Sequence, residues 1–248
     1  MIDIHTHVLP GIDDGADSME TALELLALSS DSGVDCVVTT HHCNVPEEFD
    51  NYASPDLERL WARLEREARR AGIPVELHRG MEVFATPELP ELLEQGRVWT
   101  LNDTKYFLTE FSFNEDPDFC MDVLKECADR GFRPIIAHPE RYFFVQEDPG
   151  IAFEWCVAGY GLQINKGSLL GRFGPGPERT SLLLVDHGLA ACVASDAHRP
   201  YRRSTHMTEI REFLCETFGE DCAELLLDEN PGRILRGEDM LGIEPIPF

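Results

Sequence analysis

Residues 2–42 read IDIHTHVLPGIDDGADSMETALELLALSSDSGVDCVVTTHH, and this stretch sets a pattern that the rest of the chain repeats. It opens on a short β-branched apolar run, Ile2–Ile4, and closes on a second one, Cys36–Thr40. Between them Ser18–Ser32 carries apolar residues at helical spacing, with Ser18 suited to cap its start and Gly33 to end it. Strand, helix, strand is the signature of a βα unit in a parallel sheet.

The alternation continues outward. Pro55–Ala71 reads as an amphipathic, charge-laced helix stopped by Gly72, followed by a strand at Val75–Met81 and a short helix at Pro87–Gln95. Strand Tyr106–Glu110 precedes helix Pro117–Arg130, and strand Pro134–Ala137 precedes helix Ile151–Ala158. Strand Leu162–Ile164 precedes helix Glu178–His187, and strand Ala190–Ala194 precedes helices at Arg203–Phe218 and Glu220–Leu227. That makes seven βα units with no low-complexity linker, so residues 1–248 are expected to form a single domain. A chain of 248 residues is ordinary for one α/β barrel and buries a large core without disulfides.

Composition narrows the class. The apolar fraction is 43%, and no apolar run approaches the roughly 20 residues a membrane span needs. No basic n-region and apolar h-region open the chain, so it is expected to remain in the cytoplasm. The eight cysteines form no C-x-x-C pair and read as reduced thiols. The net charge of −25 repels nucleic acid, and any phosphorylated substrate needs local cations to overcome it.

In a parallel barrel the site lies where strands end and βα loops begin. The residues there are all metal-type or acidic. Asp3, His5 and His7 close the first strand, His41 and His42 the second, Glu82 the third and Glu110 the fourth. His138 closes the fifth, Asn165 the sixth, and Asp196 and His198 the seventh. Alternation puts His5 and His7 on one side of a strand, able to grip one ion. Imidazole mixed with carboxylate suits Zn²⁺, Mn²⁺ and Fe²⁺, and a carboxylate such as Glu82 can bridge two ions. Ions held close together polarise a phosphoryl oxygen and supply hydroxide near neutral pH.

Any one of these residues alone has a plainer reading. A strand-end histidine is usually a hydrogen-bonded structural residue, Asp13-Asp14-Gly15 is an ordinary turn, and Asp196 could cap a helix. The ensemble shifts the balance, because five of the nine histidines fall at or just after expected strand ends. His78, within a strand pattern, reads as structural; His187 sits at a helix C-terminus; His206 is expected on a solvent-facing helix; His41 competes with His42 for one role.

These segments resemble the PHP (polymerase and histidinol phosphatase) superfamily, and within it the bacterial manganese-dependent protein-tyrosine phosphatases of capsule and exopolysaccharide operons. The matching segments are Asp3-Ile-His-Thr-His-Val-Leu-Pro-Gly-Ile-Asp-Asp-Gly15, Thr40-His-His42, Gly80-Met-Glu82, Thr109-Glu-Phe-Ser112 and Ile136-Ala-His-Pro-Glu-Arg-Tyr142. To these add Gln163-Ile-Asn165, Ser168-Leu-Leu-Gly-Arg-Phe-Gly174 and Ala194-Ser-Asp-Ala-His198, with Asn230-Pro231 near the end. Each piece is weak alone, but their combination is specific.

The resemblance implies a distorted (β/α)₇ barrel and two or three divalent ions, manganese by family, with iron and zinc open. It assigns His5, His7, Glu82 and Asp196 to a first ion, Glu82, Glu110 and His138 to a second, and Asp14, His42 and His198 to a third. Asp3 would orient a ligand histidine. Arg141 and Arg203 match the family's phosphate-binding arginines, where a guanidinium forks onto phosphate oxygens. An ion pair with Glu140 is the plainer role for Arg141. Cys43 is no phosphatase nucleophile, because the cysteine mechanism needs C-x₅-R and position 49 is Phe49.

The implied activity is hydrolysis of O-phosphotyrosine, with a membrane-associated tyrosine autokinase controlling polysaccharide synthesis as the partner. The alternatives are another PHP reaction, such as histidinol-phosphate hydrolysis or nucleic-acid phosphodiester cleavage, and a metal-loaded binding module without catalysis. The charge argues against nucleic acid. Asp14, the Gln163–Asn165 segment and the Gly171–Gly174 segment argue for the tyrosine-phosphatase branch.

Overall fold

The computed structural model describes residues 1–241 and 245–248. Seven parallel strands lie in sequence order: β1 (Ile2–Thr6), β2 (Cys36–Cys43), β3 (Glu76–Phe84), β4 (Tyr106–Glu110), β5 (Arg133–Ala137), β6 (Gly161–Asn165) and β7 (Cys192–Ala194). A parallel bridge between Thr6 and Ala197 brings the last strand back towards the first, so the sheet is a nearly closed barrel with helices around it.

The expected strands appear, but several are longer than their apolar runs, β2 and β3 by the most. β2 continues through His42 to Cys43, and β3 through Glu82 to Phe84. Backbone pairing Thr40↔Gly80, His41↔Met81 and His42↔Glu82 carries the ladder past the apolar residues. The expected helix at Arg203–Phe218 begins only at Thr208, and residues 195–207 form a loop instead. His206 is therefore exposed on a loop rather than on a helix. The expected helix Glu220–Leu227 runs as an α-helix to Glu224 and then loosens into a π-helical stretch, Leu225–Glu229.

Side-chain alternation stacks the barrel interior in layers. Cys36, Tyr106, Ile135 and Cys192, then Val38, Leu108, Ala137 and Ala194, form a buried apolar floor with Ile4. Ile234 and Leu235, from the helix Asn230–Leu235, seal it from below. Two or four residues further along the same strand faces come Thr40 and His42, Glu110, Gln163 and Asn165. One face of each strand thus passes from oil to ligand chemistry as it rises to the mouth. The opposite faces, with Val37, Met81, Phe107, Ile136, Leu162 and Val193, pack in the layer shared with the helices.

β1 departs from the regular ladder. Its register against β2 shifts between Asp3 and Thr6, a bulge of the kind that re-aims side chains near a site. Side chains take over the ladder there: Thr6 N–H donates to Thr40 Oγ1 at 2.8 Å and Thr6 Oγ1 donates to the Val38 carbonyl at 2.7 Å.

All eight cysteines are unbridged. Burial pushes the Cys36, Cys43, Cys127 and Cys156 thiols up to about 12, and raises those of Cys120 and Cys192 as well. A raised folded-state value means that the folded chain holds these protons while the unfolded thiols, near 8.5 in water, release them. The contribution of these thiols to stability is then intact below about pH 8.5 and falls as pH rises through the thiol range. Lys166, lowered to about 8 by burial, acts with the opposite sign, but as one group against six. The denaturant midpoint of the metal-free protein is expected to fall steadily from about pH 9 to about pH 11; a flat profile would contradict the buried thiols.

Candidate metal centre

The mouth gathers ligand-type side chains from the ends of six of the seven strands, β6 excepted, and from the loops that follow them. His5 Nε2 and His7 Nε2 lie 3.3 Å apart, and both reach Glu82 Oε2, at 3.2 and 3.3 Å. Both also approach Asp196 Oδ1, at 3.6 and 3.4 Å. His42 Nδ1 lies 3.2 Å from Glu82 Oε2 and 2.9 Å from Glu110 Oε1. His138 Nε2 sits 2.9 Å from Glu82 Oε1 and 3.7 Å from Glu110 Oε2. Asp14 Oδ1 lies 3.2 Å from His198 Nε2 and 3.6 Å from His42 Nε2. All nine residues expected as ligands therefore come together.

The donor set fits divalent cations. A tetrahedral ion with bonds of about 2.1 Å holds neighbouring donors about 3.4 Å apart. The five distances among His5, His7, Glu82 and Asp196 run from 3.2 to 3.6 Å. Three groups hold ligand atoms within 4.8 Å of one another: His5, His7 and Asp196; His42, Glu82 and Glu110; and His7, Asp14, His42 and His198. The grouping differs in detail from the expected one, since His7 also joins Asp14, and His42 faces Glu110. Glu82 Oε2 is buried with no hydrogen-bond partner among the described residues.

Protons do the balancing in the metal-free chain. Burial disfavours charge on Glu82, but His5, His42 and His138 outweigh it and hold this carboxyl well below its usual range. Burial likewise opposes charge on His42, yet Glu82 and Glu110 raise it to about 9. Neutral imidazole is the metal ligand, so uptake of cations here releases these protons.

Two arginines stand over the cluster. Arg203 reaches Asp196 Oδ2 at 2.5 Å and Arg141 reaches the same oxygen at 3.3 Å. The plainer pairing of Arg141 with Glu140 does not occur. Glu140 is buried and accepts from Ser168 Oγ at 2.6 Å and Asn165 N–H at 3.1 Å, which fastens the turn before Arg141 to the end of β6. Beside the cluster, towards β2–β4, opens a cavity of about 310 Å³ whose walls include His42, Phe49, Phe84 and Phe113. The Phe49 ring stacks on His42, 5.6 Å between centroids and 9° between planes.

Over residues 1–236 the chain matches the protein family described as capsular polysaccharide synthesis, CpsB/CapC. It belongs to the CpsB/CapC family. Tyrosine-protein phosphatase YwqE of Bacillus subtilis is 32% identical over 247 residues, covering 100% of this chain and 96% of that protein. Tyrosine-protein phosphatase CpsB of Streptococcus agalactiae is 29% identical over 248 residues, covering 95% of this chain and 98% of that protein. A crystal structure from a study of YwqE and of Streptococcus pneumoniae CpsB, called there unique metal-dependent tyrosine phosphatases, superposes with a TM-score of 0.92. That match has 32% identity and covers 100% of this chain and 99% of the other.

In this CpsB/CapC chain the residues behind the clustered histidines are not the expected ones. Asp3 does not orient an imidazole: its Oδ1 accepts from the backbone N–H of Ser195 at 3.0 Å and of His5 at 3.4 Å, tying β1 to the loop after β7. His5 is instead oriented through Nδ1, 2.6 Å from Gln163 Oε1. His7 is oriented by Asp13, whose Oδ2 lies 2.8 Å from His7 Nδ1 and also accepts from the His42 N–H at 3.0 Å. Asn51 donates to the carbonyls of Ile12 and His42, at 2.7 and 3.0 Å, and so clamps the Asp14 loop to β2. Gly15 is required there, because a Cβ would lie 2.2 Å from the His7 carbonyl oxygen.

His41 faces away from the mouth, as alternation demands. It is buried edge-on to Trp99 at 5.8 Å, neither ring nitrogen has a partner among the described residues, and burial lowers it to about 4. His78 is structural, held by Asn102 Oδ1 at 2.9 Å. Asp13→Asn keeps the shape but loses the carboxylate behind His7. It is expected to weaken metal affinity by about 10- to 100-fold, the usual cost of removing such a partner. Titration of metal-stripped protein against a chelator reads this directly, and unchanged affinity would contradict the orienting role.

Proposed function

We propose that this chain hydrolyses O-phosphotyrosine in a metal-dependent reaction, giving tyrosine and inorganic phosphate from the phosphoester and water. The observation that carries this reading is one carboxylate, Asp196, with one oxygen in the nitrogen–oxygen donor cluster and the other on two arginines. Anion-binding guanidinium groups and a cation cage then face the same small space.

We place one ion on His5, His7, Glu82 and Asp196, a second on Glu82, Glu110 and His138, and a third on Asp14, His42 and His198. Bound ions polarise phosphoryl oxygens and make water a stronger nucleophile near neutral pH. Arg141 and Arg203 orient the phosphoryl group through forked hydrogen bonds and oppose the negative charge that builds on its oxygens. They also supply the local positive field that a chain of net charge −25 needs to admit a phosphate. Phe49, Phe84 and Phe113 offer apolar faces on which a tyrosyl ring can rest. A phenolate leaves with a pKa of about 10, so departure needs less help from an acid than an alkoxide would.

Manganese is the metal proposed, with iron and zinc as the alternatives. The partner proposed is a phosphotyrosine-bearing, membrane-associated autokinase of capsule synthesis, met in the cytoplasm by a single domain spanning residues 1–248. No helix among the described residues is long and apolar enough to cross a membrane.

A substrate panel tests the choice against histidinol phosphatase. Metal-loaded protein should release phosphate from a phosphotyrosine peptide and leave histidinol phosphate and a phosphoserine peptide largely intact. Phe49→Ala should raise KM for the tyrosyl substrate by about tenfold, the worth of one buried aromatic contact. Turnover of histidinol phosphate with none of phosphotyrosine would overturn the proposal.

A further inference from the structure

On the β6–β7 side of the mouth lies a second cavity, of about 410 Å³, to which the reaction above assigns no ligand. Lys166, Arg172, Arg202 and Arg203 line it, together with Phe173 and Tyr201, and no carboxylate is among its lining residues. The chain has 46 acidic and 21 basic residues, so four cations around one carboxylate-free cavity run against its composition.

Of these four cations only Arg203 pairs with a buried carboxylate, Asp196, among the described residues. Lys166 is buried and its Nζ donates to two backbone carbonyls, Ser204 at 2.5 Å and His206 at 2.6 Å. That holds the loop carrying Arg202 and Arg203 without neutralising the ammonium. Arg202 makes no ion pair among the described residues, and Arg172 pairs only with the exposed Glu209. Phe173 forms the partition towards the catalytic mouth, its ring 5.0 Å from the Arg141 guanidinium and 5.8 Å from that of Arg203. It fits there because position 167 is glycine: a Cβ on Gly167 would come within 2.8 Å of the ring. Arg203 belongs to both spaces: it contacts Asp196 at the mouth and lines this cavity.

We propose that the cavity binds a second anion of the substrate, a carboxylate or phosphoryl group on the peptide segment flanking the scissile phosphotyrosine. The inference rests on the phosphotyrosine reading of the mouth. Its physical basis is local: guanidinium groups grip such anions in a fork, and an acidic peptide would otherwise be repelled by the net charge.

The test uses metal-loaded full-length protein and four substrates: a small aryl phosphate and three phosphotyrosine peptides. The peptides differ only in neutral flanks, acidic flanks or a second phosphotyrosine. Wild type should show KM lower by about five- to tenfold for the two anionic peptides, as one or two partly exposed ion pairs give. The double variant Arg172→Ala/Arg202→Ala should lose that advantage while its kcat and its kinetics on aryl phosphate stay the same. Equal KM for all three peptides in wild type, or an advantage that persists in the double variant, would overturn the cavity proposal and leave the catalytic one intact. Absence of hydrolysis of every substrate would overturn both.

Discussion

Asp196→Asn is expected to lower kcat/KM for a phosphotyrosine peptide by about 10³-fold or more, because one change strikes both the proposed cation cage and the arginines proposed to bind phosphate. Asp196 Oδ1 faces His5 and His7, at 3.6 and 3.4 Å. Oδ2 accepts from Arg203 at 2.5 Å, Asn165 Nδ2 at 2.6 Å and Arg141 at 3.3 Å. Its charge is well matched: burial would raise its pKa, but His5, Arg203, His7 and His198 together hold it well below the usual range. An amide in its place must turn its NH₂ either towards the proposed cation cage, where it cannot ligate, or on the arginines and Asn165, where donors then face donors. The substitution spares the backbone, since Asp196 has φ of 49° and asparagine tolerates that left-handed conformation well. Bound metal per chain and kcat/KM should therefore both fall while the fold survives. Full metal content with activity within tenfold of wild type would contradict the shared role.

Arg141→Ala should separate the two halves of the site. Removing one charge-stabilising donor costs about 10²- to 10³-fold in rate. Metal content should stay at the wild-type level, because Arg141 meets the donor cluster only through Asp196 Oδ2. Its guanidinium is stacked between Phe113 and Phe173, at 4.9 and 5.0 Å, which fixes the plane of the fork. Arg141→Lys should restore little, since an ammonium offers a point charge and no fork. Weakened inhibition by inorganic phosphate is the accompanying sign. Activity within tenfold of wild type in the alanine variant would remove Arg141 from phosphate binding.

Much of the architecture is legible in the residues themselves. Apolar runs alternating with helix-period segments mark seven strands, and the residues at the ends of those runs include His5, Glu82, Glu110, His138 and Asp196. Strand ends are informative because a parallel barrel collects them on one face. Apolar patterning loses its grip where a strand outlasts its apolar residues. His42 and Glu82 lie within β2 and β3, whose backbone pairing persists although the inward side chains have changed from apolar to ligand-type.

The residues that orient the ligands were less legible, for a physical reason. Asp13 and Asp14 are adjacent acids in a turn, and composition cannot tell which meets His7 and which meets His198. The answer depends on the close approach of Gly15 to His7 and on the Asn51 clamp, contacts set by the folded loops. Asp3 looks like a partner for a ligand histidine because of its position, yet the bulge in β1 turns it to the backbone of Ser195 and His5. Gln163 behind His5 had a signal available: it lies two residues before Asn165 on the inward face of β6. The loop before Thr208 carried the weakest signal, since its arginines and Tyr201 suit a helix as well as a loop.

The most direct measurement is phosphate release from a tyrosine-phosphorylated peptide by metal-stripped protein, with Mn²⁺, Fe²⁺ and Zn²⁺ restored one at a time and His42→Ala run alongside. The expected result is no activity without metal, recovery with manganese at least, and no recovery in the variant, which lacks the imidazole between Glu82, Glu110 and Asp14. Silence with every metal, or equal activity with and without metal, would contradict a metal-dependent tyrosine phosphatase.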